Sequence, residues 1–179
     1  MSEVFSSVSH IIRKCLETLP HLNPEELLSY KIKAEVEEAE VYYRLYGLIK
    51  EMIWSEDLPK IFYQLYQENL EHVEKLLELY RKIFPGKELV SVDLPSLKAV
   101  LAEGTLRNFL ERARLEYLFE ILMENEKMAK EVCEYVSTTT ENPEVGELAQ
   151  WLAKREEERY NRLKRIKEKY LSLKETSNQ

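Results

Sequence analysis

At 179 residues, the chain suits one domain with a single substantial core. Its 33 acidic against 26 basic residues give a net charge of −7, which argues against nucleic acid as a partner. Only 4 Gly and 6 Pro, with 33% charged residues in long Glu/Lys/Leu-rich stretches, indicate an almost wholly helical protein.

Met1 to Leu19 carries Val4, Val8, Ile11, Ile12, Cys15 and Leu19 at amphipathic helical spacing, with His10, Arg13 and Lys14 interrupting any apolar run. The segment lacks the apolar core of a signal peptide, and no stretch approaches the roughly 20 apolar residues of a spanning helix. A soluble, cytoplasmic protein with no membrane partner is expected. Cys15 and Cys133 are far apart on apolar stripes and read as buried thiols in a reducing compartment. No Cys-x-x-Cys is present to hold a zinc ribbon or a rubredoxin-type iron.

Pro20 to Glu26 stops that helix and starts another, with Asn23 as N-cap, Pro24 at the first position and acidic residues in the first turn. This helix is predicted to run to about Trp54. Ser55-Glu56-Asp57 then breaks the chain and caps a second helix, from about Leu58 to Phe84, which Pro85-Gly86 ends. Residues 85–104 lack strong helical patterning apart from a short candidate helix at Ser96 to Ala102, and are long enough to cross a bundle. A third helix is expected from about Thr105 to Ser137. Asn142 and Pro143 open a fourth, to about Tyr170, and the polar tail 171–179 is expected to fray. The plan is one all-α domain: a short helix over 1–20, hairpins over 24–84 and 105–170, and a crossover over 85–104. Four long amphipathic helices with one long crossover make the ferritin-like form of the four-helix bundle.

Ionised carboxylates are seldom placed inward without a partner, so Glu residues that interrupt apolar stripes are informative. Glu35 interrupts Leu28, Ile32, Ala39, Tyr42 and Tyr46 in the first helix. Asn69 and His72 interrupt Phe62, Leu65, Leu76 and Ile83 in the second. Glu126 lies within Leu115, Phe119, Leu122, Ala129, Cys133 and Val136, while Glu156 and Arg159 interrupt Val145, Leu148, Leu152, Leu163 and Ile166. Hard carboxylates with an imidazole around a bundle axis suit iron or manganese. Two registers stay open. Glu38, three residues from Glu35, competes with or joins it, and Glu68, four residues before His72, rivals Asn69. Glu71, Glu157 and Glu158 read as solvated, and His10 and His21 as ordinary surface or capping residues.

The second and fourth helices also share a motif in step. Leu65, Asn69, His72 and Leu76 match Leu152, Glu156, Arg159 and Leu163. A Glu-x-x-His pair on each of two helices builds a di-iron carboxylate site. Here one copy keeps the histidine and the other keeps the glutamate. Arg159 cannot ligate, but its guanidinium can fill a second ion's space through charge-assisted bonds. Tyr66, opposite the small Ala153 of the other copy, is expected to crowd the cavity.

Three stretches resemble the rubrerythrin branch of the ferritin-like superfamily, without a rubredoxin domain. Lys33 to Tyr43 resembles the family's first-helix pattern, with Glu35 followed seven residues later by Tyr42. Met123 to Ala129 resembles the third-helix pattern, Glu126 followed by Ala129. Asn142 to Glu156 resembles the start of the fourth helix and its ligand glutamate. The resemblance covers roughly 24–170 and implies ligand positions at Glu35, Asn69, His72, Glu126, Glu156 and Arg159, with Cys133 where the family has Tyr. It implies a di-iron oxidoreductase that reduces peroxide or oxidises Fe(II) and draws on an electron-donor protein. The altered positions leave a single ion, or a metal-free bundle acting in structure or interaction, as alternatives. A homodimer is expected, with the first helix and exposed aromatics as its surface. No Gly-rich phosphate loop or Ser/His/Asp arrangement supports a nucleotide or hydrolase reading.

Overall fold

The computed structural model describes residues 10, 13–14, 17–18, 21–52, 57–94, 101, 103–111 and 115–176. Among these, α1 spans Pro24–Met52, α2 Asp57–Ile83, α3 Glu103–Glu111, α4 Leu115–Thr139 and α5 Pro143–Thr176. No described helix is long and apolar enough to cross a membrane.

Both expected N-caps form. The Glu26 amide donates to Asn23 Oδ1 at 3.0 Å while the Asn23 amide donates to Glu26 Oε2 at 2.9 Å, a reciprocal capping box. In α5, the Glu144 and Val145 amides donate to Asn142 Oδ1 at 3.0 and 3.3 Å. Gly86, with φ of 78°, supplies the left-handed residue that ends the second helix. The first helix of the sequence reading and the Ser96–Ala102 segment lie mostly or wholly outside the described residues, as do Cys15 and the Ser55-Glu56 joint. The single helix expected over Thr105–Ser137 is described as α3 and α4, with 112–114 outside the description. The last helix, expected to end near Tyr170, runs on through Thr176, where no Gly or Pro interrupts it and Leu, Lys and Glu are good helix formers.

α1 pairs closely with α2 and α4 with α5, giving two antiparallel hairpins. The connection after α2 lies across the α1–α4 face: Val92 and Leu94 pack with Tyr30, Met128 and Val132, and the Val90 amide donates to Ser29 Oγ at 3.1 Å. The interior has two apolar clusters. One gathers Tyr42, Leu45, Phe62, Leu65, Phe119, Leu122 and Leu163; the other gathers Leu28, Ile32, Leu76, Cys133, Val145 and Leu152. On every long helix buried polar residues fall between these two sets, with Ser29 and Lys31 one turn earlier on α1. Glu35 and Glu38 lie between Ile32 and Tyr42, Asn69 and His72 between Leu65 and Leu76, Glu126 between Leu122 and Cys133, and Glu156 and Arg159 between Leu152 and Leu163. A charged layer is thus held between two apolar ones, where exchange with bulk water is suppressed and electrostatic contacts are strong.

Candidate metal centre

Helical spacing sets the site. Residues three and four apart share a face, so the 35/38, 69/72 and 156/159 pairs each present two side chains to the axis at one height. All six are buried, with Glu126 completing the layer from α4. The structure therefore brings together Glu35, Glu38, Asn69, His72, Glu126, Glu156 and Arg159. Glu35 and Glu38 both face inward, so the register left open for α1 resolves to both. Glu68 stands apart: its carboxylate pairs with Arg162 through two bonds of 2.9 and 3.0 Å, and its side chain is 34% exposed. One residue before Asn69, it is rotated about 100° off the axis-facing stripe.

Arg159 is 1% exposed and binds around the layer. Its Nη1 donates to Asn69 Oδ1 at 2.6 Å, its Nε to Glu156 Oε2 at 3.1 Å, and its Nη2 also to Glu156 Oε2. The Nε lies 3.1 Å from Glu126 Oε2, and Nη2 lies 3.6 and 3.8 Å from Glu38 and Glu35. Asn69 works in both directions, since its Nδ2 donates to Glu35 Oε2 at 2.8 Å and to Glu38 Oε2 at 3.0 Å. Asn125 Nδ2 donates to the other Glu38 oxygen at 2.7 Å, and the Tyr42 hydroxyl donates to Glu126 Oε1.

The other half of the layer centres on Glu35, His72 and Glu156, whose candidate ligand atoms all lie within 4.8 Å of one another. His72 Nδ1 is 3.1 Å from Glu35 Oε2, and the imidazole packs edge-on against Trp151 with centroids 5.2 Å apart. Into this group reaches Lys31, a residue the stripe analysis passed over. Its ammonium is 2.5 Å from Glu35 Oε1 and 3.0 Å from Glu156 Oε1. The signal was present: Lys31 precedes Glu35 by four residues, the spacing of a helical ion pair. Tyr42 was read as core and as part of the first-helix pattern, with no partner for its hydroxyl, and Asn125 only as part of the third-helix stretch. Tyr66 does not crowd the cavity; it packs against Tyr43 and Tyr63, with centroids 5.0 and 5.8 Å apart.

Burial pushes the Glu126 carboxyl well above the ordinary range; Arg159 opposes this and Glu38 and Glu156 reinforce it. Burial also raises Glu38, again against Arg159. Glu35 moves the other way: burial would raise it, but Lys31, then the His72 hydrogen bond and charge, and then Arg159 hold it well below. For Lys31 and Arg159, burial disfavours the charge and the surrounding anionic groups more than restore it, so both rise. Burial raises the Cys133 thiol to about 12, making it an inert core residue. Two cations thus face four carboxyls, and burial favours the neutral form of Glu38 and Glu126.

These residues do not fit two metal ions. A dication held about 4 Å from the Arg159 guanidinium meets a repulsion of about 8 kcal/mol at an effective dielectric constant of about 20. The guanidinium already engages Glu38, Glu126, Glu156 and Asn69, the oxygens a second ion would use. One ion fits the donor set of Glu35, His72 and Glu156, two carboxylates and an imidazole suited to iron or manganese. Glu35 Oε1 and Glu156 Oε1 take no bond from Arg159 or Asn69, and the cation that faces both is the Lys31 ammonium.

The sequence model of the rubrerythrin family matches residues 26–167. The structure is similar to that of a hypothetical protein from Pyrococcus furiosus, with a TM-score of 0.71 and 28% sequence identity, over 88% of this chain and 96% of that one. No curated protein matches the chain.

Proposed function

The chain belongs to the rubrerythrin family, and on that premise we propose that it binds a single divalent ion of the iron class, with its second ion position taken by Arg159. The observation that carries this reading is the asymmetry of the layer. Glu35, His72 and Glu156 converge on one point, whereas on the other side Glu38, Glu126, Glu156 and Asn69 each turn an oxygen towards the guanidinium. The peroxide reduction and Fe(II) oxidation expected of a two-ion relative are therefore not assigned to this chain.

In this reading Glu35, His72 and Glu156 hold the ion. Asn69 fixes Glu35 through its Nδ2, and the T-shaped contact with Trp151 holds the His72 ring in place. Tyr42 and Asn125 pin Glu126 and Glu38 on the guanidinium side. The apolar clusters on either side limit entry of water. A bound iron would supply Lewis acidity and one-electron redox capacity.

The test is metal analysis and an optical spectrum of protein purified after growth with iron. One iron per chain or fewer, without oxo-bridge absorption, is expected. Two irons per chain with that absorption would overturn the reading. A second reading, a metal-free bundle with a structural or interaction role, is favoured by one observation: Lys31 already pairs with both Glu35 and Glu156. Absence of Co(II) binding by the purified, folded protein and by a Lys31→Met variant would select it.

A further inference from the structure

The Lys31 ammonium lies between Glu35 Oε1 and Glu156 Oε1, two of the three groups assigned above to the ion. An ion bound to those oxygens and the ammonium cannot share the space, so binding requires Lys31 to leave. Its four-carbon stem is flexible and its charge is compact, unlike the forked and many-partnered guanidinium opposite. A destination is also present. Lys31 lines a groove together with Glu37, Glu38, Asn125 and Leu94. In that groove Glu37 Oε2 is buried and accepts no hydrogen bond, and the nearest cation to the Glu37 carboxylate in the described ion pairs is Lys33, at 4.0 Å from the other oxygen.

We propose that Lys31 is the resident cation of the ion position, and that metal enters by exchange, the ammonium moving from Glu35 and Glu156 to Glu37. This rests on the single-ion reading and adds its regulation. Without metal the ammonium occupies the ion position, and the affinity is set by how readily Lys31 departs. No covalent bond is made or broken in the exchange: coordination by Glu35, His72 and Glu156 would replace the ammonium's contacts with the two carboxylates. One dication enters and one ammonium changes carboxylate partner. Where the ion-competent, Lys31-out state is populated about a tenth of the time or less, the apparent affinity is weakened at least about tenfold.

The experiment is Co(II) titration of the wild type and of Lys31→Met, Glu37→Gln and His72→Ala variants, with Co(II) absorption as a second readout. Acylation of Lys31 in the wild type is measured by mass spectrometry with and without saturating Co(II). Lys31→Met should bind Co(II) at least about tenfold more tightly than wild type. Glu37→Gln should weaken wild-type binding but change nothing in the Lys31→Met background. Lys31 should be protected from acylation without metal and become reactive with it, a readout that needs no folded variant. Unchanged affinity in Lys31→Met, with His72→Ala still abolishing binding, overturns the exchange while leaving the ion site standing. Equal Lys31 protection with and without bound Co(II) does the same. No Co(II) bound by wild type or Lys31→Met overturns both the exchange and the site.

Discussion

Replacing Arg159 with Met keeps much of the side chain's length and removes its charge. The guanidinium is 1% exposed and touches groups from all four long helices: Glu35 and Glu38 on α1, Asn69 on α2, Glu126 on α4 and Glu156 on its own helix. Removing one partner from a buried ionic network costs about 3–5 kcal/mol, because the remaining charges are left uncompensated. For a domain of this size each kcal/mol moves the melting temperature by roughly 2–4 °C, so a fall of roughly 6–20 °C is expected at pH 8. The deficit should shrink with acidification. Arg159 is what lowers the Glu38 and Glu126 carboxyls against burial, so without it both take up protons more readily. Calorimetry of both proteins at pH 5 and pH 8, with and without Co(II), measures the effect. The variant should recover part of the loss on Co(II) addition, since an ion at 100 times its Kd contributes about 2.7 kcal/mol. A variant melting within a degree or two of wild type at pH 8, or equally impaired at both pH values, would refute the reasoning.

Glu126→Gln tests the protonated carboxyl. The folded pKa of Glu126 is raised, so its contribution to stability is complete below its ordinary value of 4.5 and is lost as pH climbs towards the raised one. Over that window this group costs the wild type up to about 1.4 kcal/mol per pH unit, and Gln does not titrate, so the variant should gain on wild type as pH rises above the ordinary value in calorimetric melts. Parallel pH profiles would show that Glu126 is ionised. Asn69→Glu with Arg159→His restores both halves of the doubled motif and should raise Co(II) stoichiometry from one to two per chain by native mass spectrometry; a stoichiometry unchanged at one would place the error in the register. Glu68→Gln breaks only a half-exposed pair with Arg162 and should cost about 0–1 kcal/mol without altering Co(II) affinity, whereas a large loss of affinity would return Glu68 to the site.

The fold was legible because its signals are local. Asn23 and Asn142 announce caps, Pro85-Gly86 a stop, and the apolar stripes a bundle axis, and each of these acts within a few residues of itself. The charged layer was legible for the same reason, since a glutamate on an apolar stripe is conspicuous and helical spacing puts its neighbour at i+3 on the same face. Glu68 and Asn69 could not be separated by that argument, because one residue of helix rotation decides between them and the stripe is broader than that. Lys31 escaped for a different reason. Its stem belongs to the apolar stripe and its charge to the layer one turn away, so a reading by Cα position assigns it to neither. Tyr42 was found as a ring and missed as a hydroxyl, because its partner Glu126 is on another helix and only packing brings them together.

The two departures from the doubled motif are complementary in charge. Asn in place of Glu removes one negative charge, and Arg in place of His adds one positive, so together they shift the layer by two units, the charge of one divalent ion. They are complementary in hydrogen bonding as well. The Asn69 amide accepts from Arg159 and donates to Glu35 and Glu38, which a carboxylate could not do. The pair therefore replaces an ion in both charge and coordination, and does so with a rigid guanidinium anchored three residues from Glu156. On the other side the replacement is of a different kind. Lys31 supplies one charge on a flexible stem, with two carboxylate contacts and an unpaired carboxylate oxygen of Glu37 in the same groove. A fixed cation closes one half of the layer, and a movable one leaves the other half open to exchange.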